Sequence, residues 1–334
     1  MKFGPAEVTR LRTWHHLEHQ KRKPTEYEIV SVNYHYPNFN AGQGHYFESI
    51  AKDAPLNRWY ATYLDGSPLR HARWADFRDP AETTYRSYNV TQDGQEKHVE
   101  ELFDRFDELG HDTTLSADWV ALLARLYTPA RYAFHALQMD SAYGASVTPT
   151  SQISICFAFQ AGDCLRWLSH TAYRTAELAK HRDGFGFARD ELEHWQRDPV
   201  WQGFRELQER CLSTYDWGEH FVALNLVVKP ALEEAVLGQL RHAARAAGDG
   251  LLALLSESQL KDAARHREWT LALLRFVLAE TGNREHIERW FAHWAPLGDA
   301  AIAAYCSALP APEETTAAAQ RAVRTLRADA LADA

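Results

Sequence analysis

The sequence predicts an all-α protein built on a large helical bundle. Three observations predict it. From Gln95 onward apolar residues recur at i, i+3, i+4 and i+7, the period of one helix face. No segment alternates with the two-residue period of a strand, and no repeat is visible. The chain has 334 residues, 46% of them hydrophobic, which is enough for a sizeable core.

Residues 1–93 precede that pattern and read as a long irregular N-terminal arm. Tyr34–Phe39 and Arg58–Tyr63 are aromatic clusters, punctuated by Pro24, Pro37, Pro55, Pro68 and Pro80. A long helix cannot run through these prolines. Exposed aromatics need another surface to cover them, so the expectation is an arm packed on a neighbour or another subunit. A small subdomain with its own core is the alternative. The helical part, residues 94–310, opens with Val99, Leu102, Phe103, Phe106 and Leu109 on one face. Helix continues over Trp119–Leu126. Arg131–Val147 and Ser151–Leu178 follow, both apolar on most faces. Arg189–Cys211 is amphipathic. Glu219–Ala247 stops at Gly248-Asp-Gly250, Leu251–Leu278 stops before Gly282, and Arg284–Leu309 closes the bundle. Residues 311–334 form a charged, Ala-rich tail, either a surface helix or frayed.

The net charge of −9 argues against nucleic acid, since a phosphate-binding surface needs excess Lys and Arg. The polar first 23 residues lack the apolar core of a signal peptide. The longest apolar run falls short of the roughly 20 residues a membrane span needs. Cys156, Cys164, Cys211 and Cys306 form no C-x-x-C pair and sit in apolar runs, as buried free thiols do. A cytoplasmic protein without a membrane partner is expected.

Helical bundles make di-iron chemistry the first to test. Such sites take one Glu from each of two helices and a Glu-x-x-His pair from each of two others, because i, i+3 spacing puts both ligands on one face. Glu108-x-x-His111 and Glu191-x-x-His194 match the spacing. The first pair falls at a helix end beside Gly110. The second is flanked by Arg189, Asp190, Glu193, Gln196 and Arg197, which reads as a solvated face. Neither belongs inside a bundle. Asp216, Glu219 and His220 cluster at a helix start and read as charge complementing the helix dipole. His135 and His170 read as core histidines, and Arg131 and Arg174 as ion-pair partners. The residues therefore assign no catalytic, cofactor-binding or metal-ligating position. An independent di-iron oxidase built on one Glu-x-x-His pair and a helical binding module remain as alternatives.

Several segments together carry a resemblance. They include Arg12-Thr-Trp14, Lys23-Pro-Thr-Glu-Tyr27, Ser67-Pro-Leu-Arg-His71, Gln92-Asp-Gly-Gln-Glu96, Leu137-Gln-Met139, Leu165-Arg-Trp-Leu168, His170-Thr-Ala-Tyr-Arg174, Asp216-Trp-Gly-Glu219, Leu224–Pro230 and Ser258–Ala263. In this order, over nearly the whole chain, the sequence resembles the hydroxylase β subunits of toluene 4-monooxygenase-type bacterial multicomponent monooxygenases. The resemblance implies a ferritin-like bundle in an (αβγ)2 assembly with α and γ subunits. It places the di-iron centre in the partner α subunit and none in this chain. It also implies an effector protein, a Rieske ferredoxin and an NADH-dependent reductase, and oxygen insertion into an aromatic or alkene. By the same resemblance, Cys164 and Trp167 replace one Glu-x-x-His pair, and Leu260 and Ala263 replace the other. Neither long central helix offers that pair in another register: Glu177 in the first, and Glu257, Glu268 and His266 in the second, stand at wrong offsets.

Overall fold

The computed structural model describes residues 22–31 and 51–332. The motif Arg12–Trp14 and the aromatic cluster Tyr34–Phe39 lie outside the described residues. Two short helices, α1 (Glu26–Ser31) and α2 (Pro55–Tyr63), precede the bundle. Pro55 sits in the first turn of α2, where its missing N–H costs nothing. Tyr60, Leu64, Leu69 and Phe77 join the core of the bundle itself. Trp59 lies edge-on to Tyr143 and Tyr215, at centroid distances of 6.5 and 4.8 Å. This part of the expected arm thus covers its own chain.

The first long helix, α3 (Tyr85–Glu108), begins ten residues earlier than the apolar period suggested. Its start is set by a capping box: Thr84 and Ser87 satisfy each other's backbone N–H groups. Its first two turns hold few apolar residues, and Tyr85 and Val90 among them are exposed, so no apolar face marks them. After α4 (His111–Thr114) and α5 (Ala117–Leu122), a π turn at Leu123–Tyr127 leads to α6 (Ala130–Val147), which packs along α7 (Ser151–His181). The amphipathic stretch expected as one helix is two, α8 (Glu191–Arg197) and α9 (Pro199–Leu212). Pro199 cannot continue α8, and Asp198 caps α9 by accepting from Val200 N.

The run from Trp217 to Ala246 is continuous but not uniform. Helices α10 (Trp217–Ala223), α11 (Lys229–Leu232) and α12 (Leu240–Ala246) are joined by π turns at Leu224–Val228 and Glu233–Gln239. Pro230 accounts for the first of them: it lacks an N–H and its ring crowds the preceding turn, so the ladder widens there. Gly248, with φ 78°, makes the turn into α13 (Gly250–Leu278), and Asp249 caps that helix. Then come α14 (Asn283–Cys306) and α15 (Pro312–Ala332). The tail is therefore helical, held by buried Ala319 and Val323. At Gly203 a Cβ would meet Ala301 Cα at 2.7 Å, so glycine sets how closely α9 approaches α14. All four cysteines are buried and free. No helix among the described residues is long and apolar enough to cross a membrane.

Candidate functional site

The two Glu-x-x-His pairs do not come together. Glu108 ends α3 on the surface, paired with Arg105. His111, beyond Gly110, turns inward to Asp249 at 3.2 Å. Glu191 corrects the sequence reading: it is 2% exposed, not solvated. Its Oε1 accepts from the N–H of Ala188, a non-glycine residue at φ 61°, and its Oε2 lies 3.7 Å from Arg131. His194 points instead to Asp198. The helix-start trio also separates. Asp216 Oδ1 accepts from Gly218 N and Glu219 N, Glu219 accepts from the Trp294 indole at 3.0 Å, and His220 turns into the core.

His135 is a second correction: it is exposed, although its helix is largely apolar. His170 is buried against Glu96, with Nε2 3.0 Å from Oε1. Arg174 is fully buried between Asp112 and Asp249, each 3.0 Å from Nη2. Burial alone would raise the Asp249 carboxyl, but the Arg174 charge, His111 and the Leu252 and Trp119 N–H groups hold it at about 2.

The centre of the bundle, where α7, α13 and the 217–246 run meet, is filled by side chains. Cys164 and Trp167 are 0% exposed there, with Phe134 edge-on to the indole at 5.7 Å. From α13 the residues that face Trp167 are Asp262 and His266. The indole Nε1 donates to Asp262 Oδ2 at 3.1 Å, and the His266 ring is 5.9 Å away. Of the two positions that the resemblance sets against the second Glu-x-x-His pair, Ala263 is buried and Leu260 lies at the half-buried margin of the core.

Around Trp167 runs an ion network that sequence reasoning missed. Asp163 Oδ1 accepts from Tyr88 at 3.0 Å and from Gln92 at 2.8 Å. Its Oδ2 accepts from Arg265 and from His266 Nε2, the latter at 2.7 Å. Asp262 accepts from Gln92 and from Arg166, at 3.1 and 3.0 Å. On the other side Glu233 binds Lys229 and Arg267, and the Lys229 ammonium lies 5.3 Å from the Trp167 ring centroid. Burial would raise Glu233, but the charges of Lys229 and Arg267 overcome it and keep the carboxyl below its usual range. Burial, with Lys229 and Arg265, pushes His266 well below its ordinary value. The one signal was spacing: Asp163/Arg166, Lys229/Glu233 and Asp262/Arg265 are charged pairs at i, i+3 or i+4 inside apolar helices.

Iron ligation needs several carboxylates and imidazoles with lone pairs aimed at one point. Here each central carboxylate is already bound by arginine, lysine, glutamine or histidine donors, and an indole fills the space between. The residues present do not fit a di-iron centre.

Comparison with known proteins agrees with this architecture. The methane/phenol/alkene hydroxylase family model matches residues 59–281. The β subunit of the hydroxylase component of the toluene-4-monooxygenase system from Ectopseudomonas mendocina is 46% identical over 299 residues, 90% of each chain. An oxygenase component of phenol 2-monooxygenase from Pseudomonas sp. (strain CF600) is 27% identical, over 74% of this chain and 73% of that one. A solved structure of toluene 4-monooxygenase with toluene in its resting active site contains a chain that superposes with a TM-score of 0.85. It shares 45% identity, over 92% of this chain and 99% of that one. A chain of phenol hydroxylase from Pseudomonas sp. OX1, at 20% identity and TM-score 0.82, shares the fold, over 99% of this chain and 98% of that one. The chain belongs to the methane/phenol/alkene hydroxylase family, as a hydroxylase β subunit of the toluene-4-monooxygenase type.

Proposed function

We propose that this chain is the iron-free scaffold of a cytoplasmic multicomponent monooxygenase that inserts one oxygen atom of O2 into an aromatic or alkene hydrocarbon. It pairs with an α subunit that carries the di-iron centre and with a γ subunit, in an (αβγ)2 particle. An effector protein, a Rieske ferredoxin and an NADH-dependent reductase act on that particle. No residue of this chain touches substrate or the di-iron centre. The observation that carries the reading is the filled bundle centre, where protein cations neutralise the carboxylates that a metal would otherwise bind.

The outer face of α7 supports a partner. Ala158, Ala161, Leu165, Ala172, Tyr173 and Ala176 form a stripe of roughly five turns without a charge. Leu165 and Tyr173 are 49% and 50% exposed. A lone soluble helix carries charge on such a face, and a subunit interface depletes it.

The test is purification of the tagged chain from cells expressing the whole gene cluster, with native mass and iron content measured. The expected particle holds two copies each of this chain, a larger chain and a small one, with iron on the larger chain. Leu165→Glu and Ala161→Glu are expected to dissolve it while leaving helical content unchanged. A monomer with bound iron would refute the scaffold reading.

A further inference from the structure

Asp140 on α6 carries a buried carboxyl group that the bundle leaves without a hydrogen-bond partner. It is 0% exposed, and neither carboxyl oxygen has a hydrogen-bond partner among the described residues. A buried carboxylate without donor or cation is strongly unfavourable, so proteins neutralise, pair or ligate it. Two other groups converge on it. Cys211, 0% exposed, comes from the end of α9, and His220, 1% exposed, from α10. One donor atom from each of the three lies within 4.8 Å of the other two. Cys211 is near enough to influence the Asp140 proton, yet it closes no hydrogen bond of proper geometry on either oxygen.

His220 is also incompletely satisfied. Its Nδ1 faces the Thr214 carbonyl at 3.1 Å and its Nε2 faces the Asp140 carbonyl at 2.9 Å. A neutral imidazole has one N–H and serves only one of them. The other nitrogen then points its lone pair at an oxygen lone pair. Burial pushes the Asp140 carboxyl and the Cys211 thiol well above their ordinary values and lowers His220. All three groups lack what a cation would supply.

We infer that Asp140, Cys211 and His220 form a buried site for a thiophilic divalent cation of the zinc class. A thiolate, an imidazole and a carboxylate together select zinc over the hard cations magnesium and calcium. The Asp140 carbonyl, beside Nε2, is placed to fill a fourth position. Ligand atoms around zinc stand roughly 3.3–3.8 Å apart, so side-chain rotation must draw the cluster in by about 1 Å on loading. Binding releases the thiol and carboxyl protons to solvent. A closed four-ligand shell is a structural site, tying α6, α9 and α10 together. None of its three residues belongs to the ion network around Trp167, and it departs from the sequence expectation that no residue here ligates metal.

The test uses the intact hydroxylase assembly. Zinc and iron are measured by elemental analysis, and mass spectrometry of the released subunits shows which chain carries zinc. The expected result is about one zinc per copy of this chain, falling at least about tenfold in Cys211→Ser and Asp140→Asn with iron unchanged. Equal zinc in wild type and Cys211→Ser overturns the proposal. Should the variants fail to assemble, cobalt exchange into the wild-type assembly decides. A thiolate-to-cobalt charge-transfer band supports the site, and a zinc-free chain that gives no band overturns it.

Discussion

Lys229 and Glu233 give the sharpest test of the filled centre. They stand one helical turn apart with side chains 3% and 0% exposed. Lys229→Met removes the ammonium but keeps an apolar stem against Trp167. Removing one partner of a buried ion pair costs about 3–5 kcal/mol, because the other charge stays buried. Glu233 would retain Arg267, whose Nε and Nη2 lie 3.0 and 2.9 Å away. The expected loss is therefore at the lower end, about 3 kcal/mol. Adding Glu233→Leu removes the stranded charge, and Arg267 keeps Glu234 at 2.8 Å. The double variant is expected within about 1 kcal/mol of wild type, or above it. Thermal unfolding of the purified assembly, followed by circular dichroism, reads the cycle. At 2–4 °C per kcal/mol, the single variant melts roughly 6–12 °C lower and the double recovers most of that. If Lys229→Met melts within about 2 °C of wild type, the pair is not the buried, mutually dependent unit described here. A double variant as unstable as the single one would refute the argument that stranded charge is the cause.

Two further outcomes follow from other sites. The Asp249 carboxyl lies at about 2 in the folded chain against an ordinary 3.8. Its contribution is present above the ordinary value and is lost as pH falls toward 2. The difference corresponds to about 2 kcal/mol. The destabilisation by Asp249→Asn, read as the urea midpoint from pH 7 to pH 2, should shrink by about that amount, and a pH-independent difference would contradict the assignment. Gly203→Ala would place a Cβ 2.7 Å from the Ala301 backbone. Because backbone cannot rotate aside, a loss of about 1–3 kcal/mol is expected, visible as a lowered melting temperature; an unchanged one would show that α9 and α14 separate freely.

Much of the helix order was legible from the sequence, since apolar period and turn residues are local signals. What was not legible depended on non-local or masked local causes. Thr84 and Ser87 start α3 ten residues early through a cap that carries no periodicity. Pro199 splits one amphipathic stretch in two, although the apolar period runs across it. The ion network joins residues far apart in the chain, such as Asp163 and Arg265, 102 positions apart. Only the within-helix half of each cluster could be read, as an i, i+3 or i+4 pair that on any other helix is a solvated face. Glu191 failed in the reverse sense. Its charged neighbours are exposed as read, but the unusual backbone at Ala188 needs an acceptor, and Glu191 turns inward to supply it.

His135 and the outer stripe of α7 share one explanation. Apolar composition on most faces of α6 and α7 was read as burial within this chain. The structure resolves it into an inner face packed on the core and an outer face left without charge but exposed. Composition records every surface a side chain is selected to meet, including those on another subunit, so it overstates burial in a chain that does not work alone. The same logic applies at the centre. A catalytic bundle must keep ligand lone pairs open toward a metal, which leaves polar groups costly to hold without it. Here Asp163, Asp262 and Glu233 are closed by donors from α3, α7, α13 and the 217–246 run, so these carboxylates are satisfied within the folded chain. Carboxylates bound in this way tie those helices to one another. Such rigidity is what the proposed scaffold role requires, since displacements of about 1 Å around a site are enough to weaken catalysis.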